Sequence, residues 1–188
     1  MTQLKEVNLP VPYNSQRDSG TRQAHRMCFT STCTSLVQYA LPGKLVGPNA
    51  DDKYLKILND RYGDTTNSAA QIQCLRDHFG LKTATFRTNL QWSHIDAQLD
   101  ARKFIPIGIL HHGHVSNPTG GGHWLGIRGR KYVNGRLFYI VNDPYGELDL
   151  VNGGYGLGNN NGNGLLYSKE NLDKRWRVKG TPGWGILY

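Results

Sequence analysis

The sequence predicts an α+β fold in which N-terminal helices pack on an antiparallel sheet. Three observations carry that prediction. Apolar residues before position 100 recur at helical spacing, later ones gather in short strand-like runs, and Asn134-Gly135 joins two of those runs. Asn-Gly between apolar runs is a strong hairpin signal. Helices first and strands later is the order of an α+β architecture. The length of 188 residues suits one domain over 1–188, able to bury a core without staples.

The chain opens extended, because Pro10 and Pro12 disfavour helix. From Phe29 the apolar positions run Phe29, Cys33, Leu36, Val37 and Ala40, one stripe of a helix. Thr30, Ser31, Thr32, Thr34 and Ser35 are weak helix formers, so burial of the stripe must hold it. Pro42-Gly43 stops it. Further helices are expected over 52–59, over 68–79 with Gly80 as the stop, and over 92–102. Strands are expected over 104–110, 123–128 and 136–142. Pro106 points to an edge or irregular strand for the first of them. Ser168 caps a short helix reaching Trp176, and 184–188 closes the sheet.

Composition narrows the function classes. Only 19% of residues are charged and apolar residues are spread throughout, which excludes wholesale disorder. No run of about 18 apolar residues exists, so no membrane span is expected. The opening residues lack a basic-then-apolar leader, and three cysteines are an odd count. Both fit a chain made in a cytosol with reduced thiols. The net charge of +8 draws the protein toward anionic partners, among them nucleic acid and acidic cell-wall polymers. The basic residues are scattered rather than blocked, and nucleic acid is not the expected partner. Residues 152–164 hold six Gly and five Asn and must form a surface loop; with loop 113–122 they offer flaps or close backbone approach.

A catalytic cysteine needs a stabilised thiolate, a positioned base and fixed donors for the oxyanion. Cys28 opens the first helix, where orphan N–H groups and the macrodipole favour an anion, and His25 and Arg26 precede it. Cys33 is rotated about 140° from Cys28 on a helix of ~100° per residue and falls on the apolar stripe. It is expected to be inert, and Cys74 to be buried filler. His123 starts one hairpin strand and Asp143 follows the other. With Asn134-Gly135 as the turn, His123 pairs near Gly146, which leaves roughly 10 Å along the strand to Asp143 at ~3.3 Å per residue. A bulge or side-chain lean closes much of that gap. The carboxylate then orients the imidazole.

Four motifs in this order carry a resemblance: Asn14-Ser15-Gln16 after an extended Val11-Pro12-Tyr13, Cys28 opening a Thr/Ser-rich helix, Gly122-His123-Trp124, and Asn142-Asp143-Pro144-Tyr145-Gly146. The chain resembles the papain-like cysteine peptidases related to the bacteriocin-processing, double-glycine-leader peptidases. The resemblance implies a papain-like fold with a peptidase core at 9–147, followed by the Gly/Asn-rich loop and closing segment at 148–188. It implies Cys28 as nucleophile, His123 as base, Asp143 as its orienter and Gln16 as oxyanion donor, with no cofactor. Phe29-Thr30 stand where family members often carry Gly-Pro. The tail, with Tyr167-Ser168-Lys169, Arg175-Trp176 and Gly183-Trp184, is similar to stand-alone phage lysis enzymes built on this module.

The leading expectation is a cysteine-dependent hydrolase of peptidoglycan amide bonds, endolysin-like, bacteriolytic and monomeric, acting on the cell wall. Gly122, Trp124, Tyr145 and Trp184 are the candidates to line its peptide cleft. A protein- or leader-processing protease is the alternative. A zinc amidase would draw on His111, His112, His114 and His123, yet no His-Glu-x-x-His motif is present, and adjacent strand residues point to opposite faces. A non-catalytic basic binding module leaves Cys28, His123 and Asp143 unexplained.

Overall fold

The first long helix, α1 (Cys28–Ala40), is buried on nearly every side. All nine residues from Phe29 to Val37 are inaccessible, not only the apolar stripe. Its weak helix formers are therefore held by their surroundings rather than by propensity. Each hydroxyl has a partner: Thr30 meets Thr65 at 2.6 Å, Ser31 donates to Asp51 at 2.6 Å, and Thr32 donates to the Trp124 carbonyl at 3.3 Å. Thr34 and Ser35 donate back to the carbonyls of Thr30 and Ser31. Such pairing offsets the cost of burying a hydroxyl, about 1–3 kcal/mol when left unpaired. The computed structural model describes residues 4–156 and 160–188. The part of the glycine loop at 157–159 and the opening residues 1–3 lie outside them.

The other helices stand close to their expected places. They are α2 (Ala50–Arg61), α3 (Ser68–Gln73), α4 (Trp92–Asp100) and α5 (Lys169–Trp176). A π turn at Cys74–His78 continues α3, so the expected 68–79 segment is helical with one widened turn. Asn67 caps α3 by accepting from the N–H groups of Ala69 and Ala70, and Ser168 caps α5 by accepting from Asn171.

Among the described residues seven strands form one antiparallel sheet: β1 (Val7–Asn8), β2 (Thr85–Leu90), β3 (Ile105–Ile109), β4 (His123–Val133), β5 (Arg136–Asn142), β6 (Leu165–Ser168) and β7 (Gly183–Leu187). The spatial order is β2-β7-β3-β4-β5-β6, and β1 adds to β4. The edge reading of β3 is excluded: the strand lies between β7 and β4. Its ladder to β7 begins at Ile107, so the absent N–H of Pro106 breaks no bond there. β7 joins the sheet as expected, inserted between β2 and β3.

α1 packs on β3 and β4, and the Phe29 ring stacks on Trp124 at 3.6 Å with planes 4° apart. A second aromatic group joins α4, α5 and β5: Trp92 stacks on Tyr139 at 4.5 Å and meets Trp176 edge-on at 4.6 Å. A Cβ on Gly126 would lie 1.8 Å from the Phe104 ring, which is why β4 carries glycine at that point. One register shift matters for the site. Between Ile127 and Gly129 the β4–β5 ladder gains a residue on β4, so Gly126 faces Asn142 and the ladder continued to His123 meets Tyr145, not Gly146. Asp143 is thereby brought one residue nearer to His123. The carbonyl of the bulged Arg128 is taken by the Leu9 N–H at 2.8 Å.

Candidate active site

Cys28 is the first residue of α1 and is half-buried at the floor of a cleft of about 470 Å³. The residue before it, Met27, is fully buried, and its carbonyl starts the helical ladder by accepting from Ser31. The helix thus begins at a fixed point, and the first N–H groups, unpaired within a helix, face the cleft end. Cys33 and Cys74 are completely buried in the core. Burial pushes the Cys33 thiol well above its ordinary range, with Cys74 adding to it. Burial also pushes Cys74 up, to about 11. Both placements agree with the sequence reading.

His123 begins β4 and Asp143 follows β5, and the two meet at 2.7 Å through Nε2 of the ring and Oδ1 of the carboxylate. Both side chains are buried, at 5% and 0% exposure. With Nε2 held by the carboxylate, Nδ1 is left for Cys28, which lines the same cleft and acts on the ring. Burial alone would favour the neutral imidazole. The charge and hydrogen bond of Asp143, together with Cys28, outweigh it and raise the ring to about 10.

Asp143 has partners that sequence reading missed. Oδ1 also accepts the Tyr145 backbone N–H at 3.0 Å, while Oδ2 accepts the hydroxyls of Tyr155 at 3.0 Å and Tyr167 at 3.2 Å. Tyr167 is itself fixed by accepting from the Leu148 N–H at 2.8 Å. Four donors thus satisfy the carboxylate and fix its plane. The Tyr155 ring also stands edge-on to His123 at 5.4 Å, covering the His–Asp pair. Behind the carboxylate, the Asp143 N–H donates to the Gly162 carbonyl at 2.9 Å. A Cβ on Gly162 would sit 1.8 Å from the Asp143 carbonyl oxygen. The glycine-rich segment is thus a backing for Asp143, and its glycine is required by close approach. The only signal in the sequence was the loop's composition.

Gln16 is 1% exposed and lines the cleft beside Cys28. Its Nε2 donates to the Ala24 carbonyl at 2.7 Å, which fixes the amide orientation, since the reverse would set two acceptors together. One N–H of the amide remains. The segment is tied in by Gln16 N–H to the Pro144 carbonyl at 3.0 Å and by Asn14 to Ser35 and Gln38 of α1. Of the expected cleft residues, Gly122 and Tyr145 do line it, and the Arg17 guanidinium lies 5.0 Å over the Tyr145 ring. Trp124 does not: it is turned into the core against Phe29, because α1 needs a flat apolar partner there. Trp184 also lies elsewhere, over Gly108 of β3.

The histidine group separates. His111 and His112 line the cleft with ring centroids 3.9 Å apart, whereas His114 turns Nδ1 to the Ser116 hydroxyl at 2.8 Å. His123 is engaged by Asp143. Among the described residues no group of three or more His, Cys, Asp or Glu side chains is placed to hold a metal ion. The loop carrying His111 and His112 is clamped by Arg175, a buried guanidinium that donates to the carbonyls of Leu110, His112, Gly113, Leu150 and Val151. No helix among the described residues is long and apolar enough to cross a membrane.

No protein-family model matches the chain, and no curated protein matches it. Solved structures do. A Bacillus anthracis protein described as a "putative C39-like peptidase" superposes with a TM-score of 0.61 and 13% identity, covering 98% of each chain. The likeness is one of fold: the chain has the α+β, papain-like architecture of that C39-like protein over essentially its whole length.

Proposed function

We propose that the protein is a cysteine-dependent hydrolase that cleaves amide bonds of bacterial peptidoglycan, in the manner of a phage endolysin. The observation that carries the catalytic part is the 2.7 Å His123–Asp143 pair, lining one cleft with Cys28 at the helix start. In this reading Cys28 Sγ attacks the scissile carbonyl while His123 holds the proton. The oxyanion meets the free N–H of the Gln16 amide and the Cys28 backbone N–H. Collapse breaks the C–N bond, His123 gives its proton to the departing amine, and a thioester remains on Cys28. His123 then takes a proton from water as the water attacks, releasing the acid and restoring the thiol. Asp143 holds the ring so that one nitrogen always serves the sulfur.

The polymer as substrate is supported by the basic surface, +8 over 188 residues, and by the motif and tail resemblances. Mass spectrometry of purified wall after digestion tests it. New N-terminal amines on stem residues mean an endopeptidase, and a freed muramoyl lactyl group means an amidase. Cys28→Ala abolishes either product. The second reading is a protein-processing protease, favoured by the fold likeness to a C39-like peptidase. Intact wall beside cleavage of a peptide library would select it.

A further inference from the structure

We propose that His111 is a positioning residue on the leaving-group side of the cleft, where its neutral ring donates an Nε2–H hydrogen bond to a carbonyl oxygen of the departing residue. This deepens the reading of the site as a cysteine hydrolase and rests on it.

His111 follows β3 and lines the cleft beside His123, with ring centroids 5.4 Å apart. Its ring neighbours are His112, His123 and Tyr155, at 3.9, 5.4 and 6.1 Å, so it stands beside the imidazole of the site. That is the side from which His123 delivers a proton to the departing amine. The ring's position is fixed from its backbone. The His111 carbonyl accepts from Gly154 N–H at 2.7 Å, the Leu110 N–H donates to the Arg175 carbonyl at 3.0 Å, and the Arg175 guanidinium holds the carbonyls on either side.

The ring chemistry follows from its two nitrogens. Nδ1 is buried with no hydrogen-bond partner. An orphan N–H in that position costs more than an orphan lone pair, so Nδ1 carries the lone pair and the proton sits on Nε2. The Nδ1 edge is the covered one and the residue lines the cleft, so the N–H edge faces the cleft. Burial, reinforced by the positive charge of His123, lowers the ring to about 4, so it stays an uncharged donor at neutral pH. A neutral donor suits a peptide carbonyl, and unlike a cation it does not oppose protonation of His123.

Acyl transfer tests this whatever the natural substrate is. p-Nitrophenyl acetate acetylates Cys28 and releases p-nitrophenolate. Alanine amide then attacks the thioester, forming acetyl-alanine amide and restoring the thiol, with its proton passing through His123. This aminolysis is the reverse of peptide-bond cleavage and reads the leaving-group side alone. His111→Ala should lower the ratio of aminolysis to hydrolysis by about five- to tenfold, the worth of one hydrogen bond. His111→Gln, which keeps an N–H donor, should restore most of it. The ratio for hydroxylamine, which has no carbonyl, should fall far less. Equal alanine-amide ratios in wild type and His111→Ala overturn the proposal. Absence of a Cys28-dependent burst in the wild type overturns instead the reading of the site itself.

Discussion

The Tyr155 hydroxyl donates to Asp143 Oδ2 at 3.0 Å while its ring stands edge-on to His123 at 5.4 Å, so one side chain both braces and roofs the buried pair. The two roles separate by mutation. Tyr155→Phe keeps the roof and removes one of four donors, and should lower kcat/KM by about tenfold. Tyr155→Ala also admits water to the His–Asp bond and should cost at least another tenfold. Turbidity clearance of permeabilised cells, with Tyr155→Phe no worse than wild type as the adverse result, decides it.

Gly162 backs Asp143 too closely for any side chain. Gly162→Ala must push the two strands of backbone apart, and overpacking of this kind costs about 1–3 kcal/mol. Activity should fall further than stability, because the displaced carbonyl belongs to the residue that holds the His123 ring. Urea unfolding measured beside wall digestion checks this. A variant with wild-type activity would show that Asp143 tolerates the shift.

His123 links stability to pH. Its ring is raised to about 10 in the fold, against an ordinary value near 6.5 in the unfolded chain. The protonated ring therefore stabilises the fold fully below about pH 6.5, and that contribution is lost as pH rises toward 10. The urea midpoint of the wild type should drop between pH 6 and pH 9.5 by more than that of His123→Gln. Equal drops would mean that the ring is not held protonated.

Thiol reactivity should follow burial. Cys33 and Cys74 are closed off in the core, and Cys28 opens to the cleft. Native protein at pH 7.5 should take up one equivalent of iodoacetamide, mapped to Cys28, with loss of activity. Cys33→Ala should stay active. An active Cys28→Ala beside a dead Cys33→Ala would reverse the assignment of the nucleophile.

Much of this was legible in the sequence where one local pattern sets one outcome. The stripe from Phe29 to Ala40 gave α1, Asn134-Gly135 gave the β4–β5 turn, and strand ends carried His123 and Asp143 to one place. What escaped depends on distant partners. Strand β2, polar and largely exposed, has no apolar pattern to announce it and is held by pairing with β7. Pro106 looked like an edge because nothing local tells where a ladder will start. Trp124 looked like a cleft residue beside His123, but neighbouring strand positions face opposite ways and only the packing of Phe29 shows which. The tyrosines on Asp143 come from 12 and 24 residues downstream, across a loop whose composition says only that it is a surface.

Strand β7 sits between β2 and β3, with Thr85 paired to Leu187 and Gly108 to Trp184. Until residue 187 is available, the sheet is two unjoined pieces, with β2 on one side and the His123-bearing hairpin on the other. The Trp176 indole, donating to the Trp184 carbonyl, ties α5 and its Arg175 clamp to the same late event. Synthesis order thus acts as a timer: a ribosome-bound chain already carries Cys28, His123 and Asp143, yet has no finished scaffold to align them, so competence should appear abruptly once β7 emerges rather than grow with length.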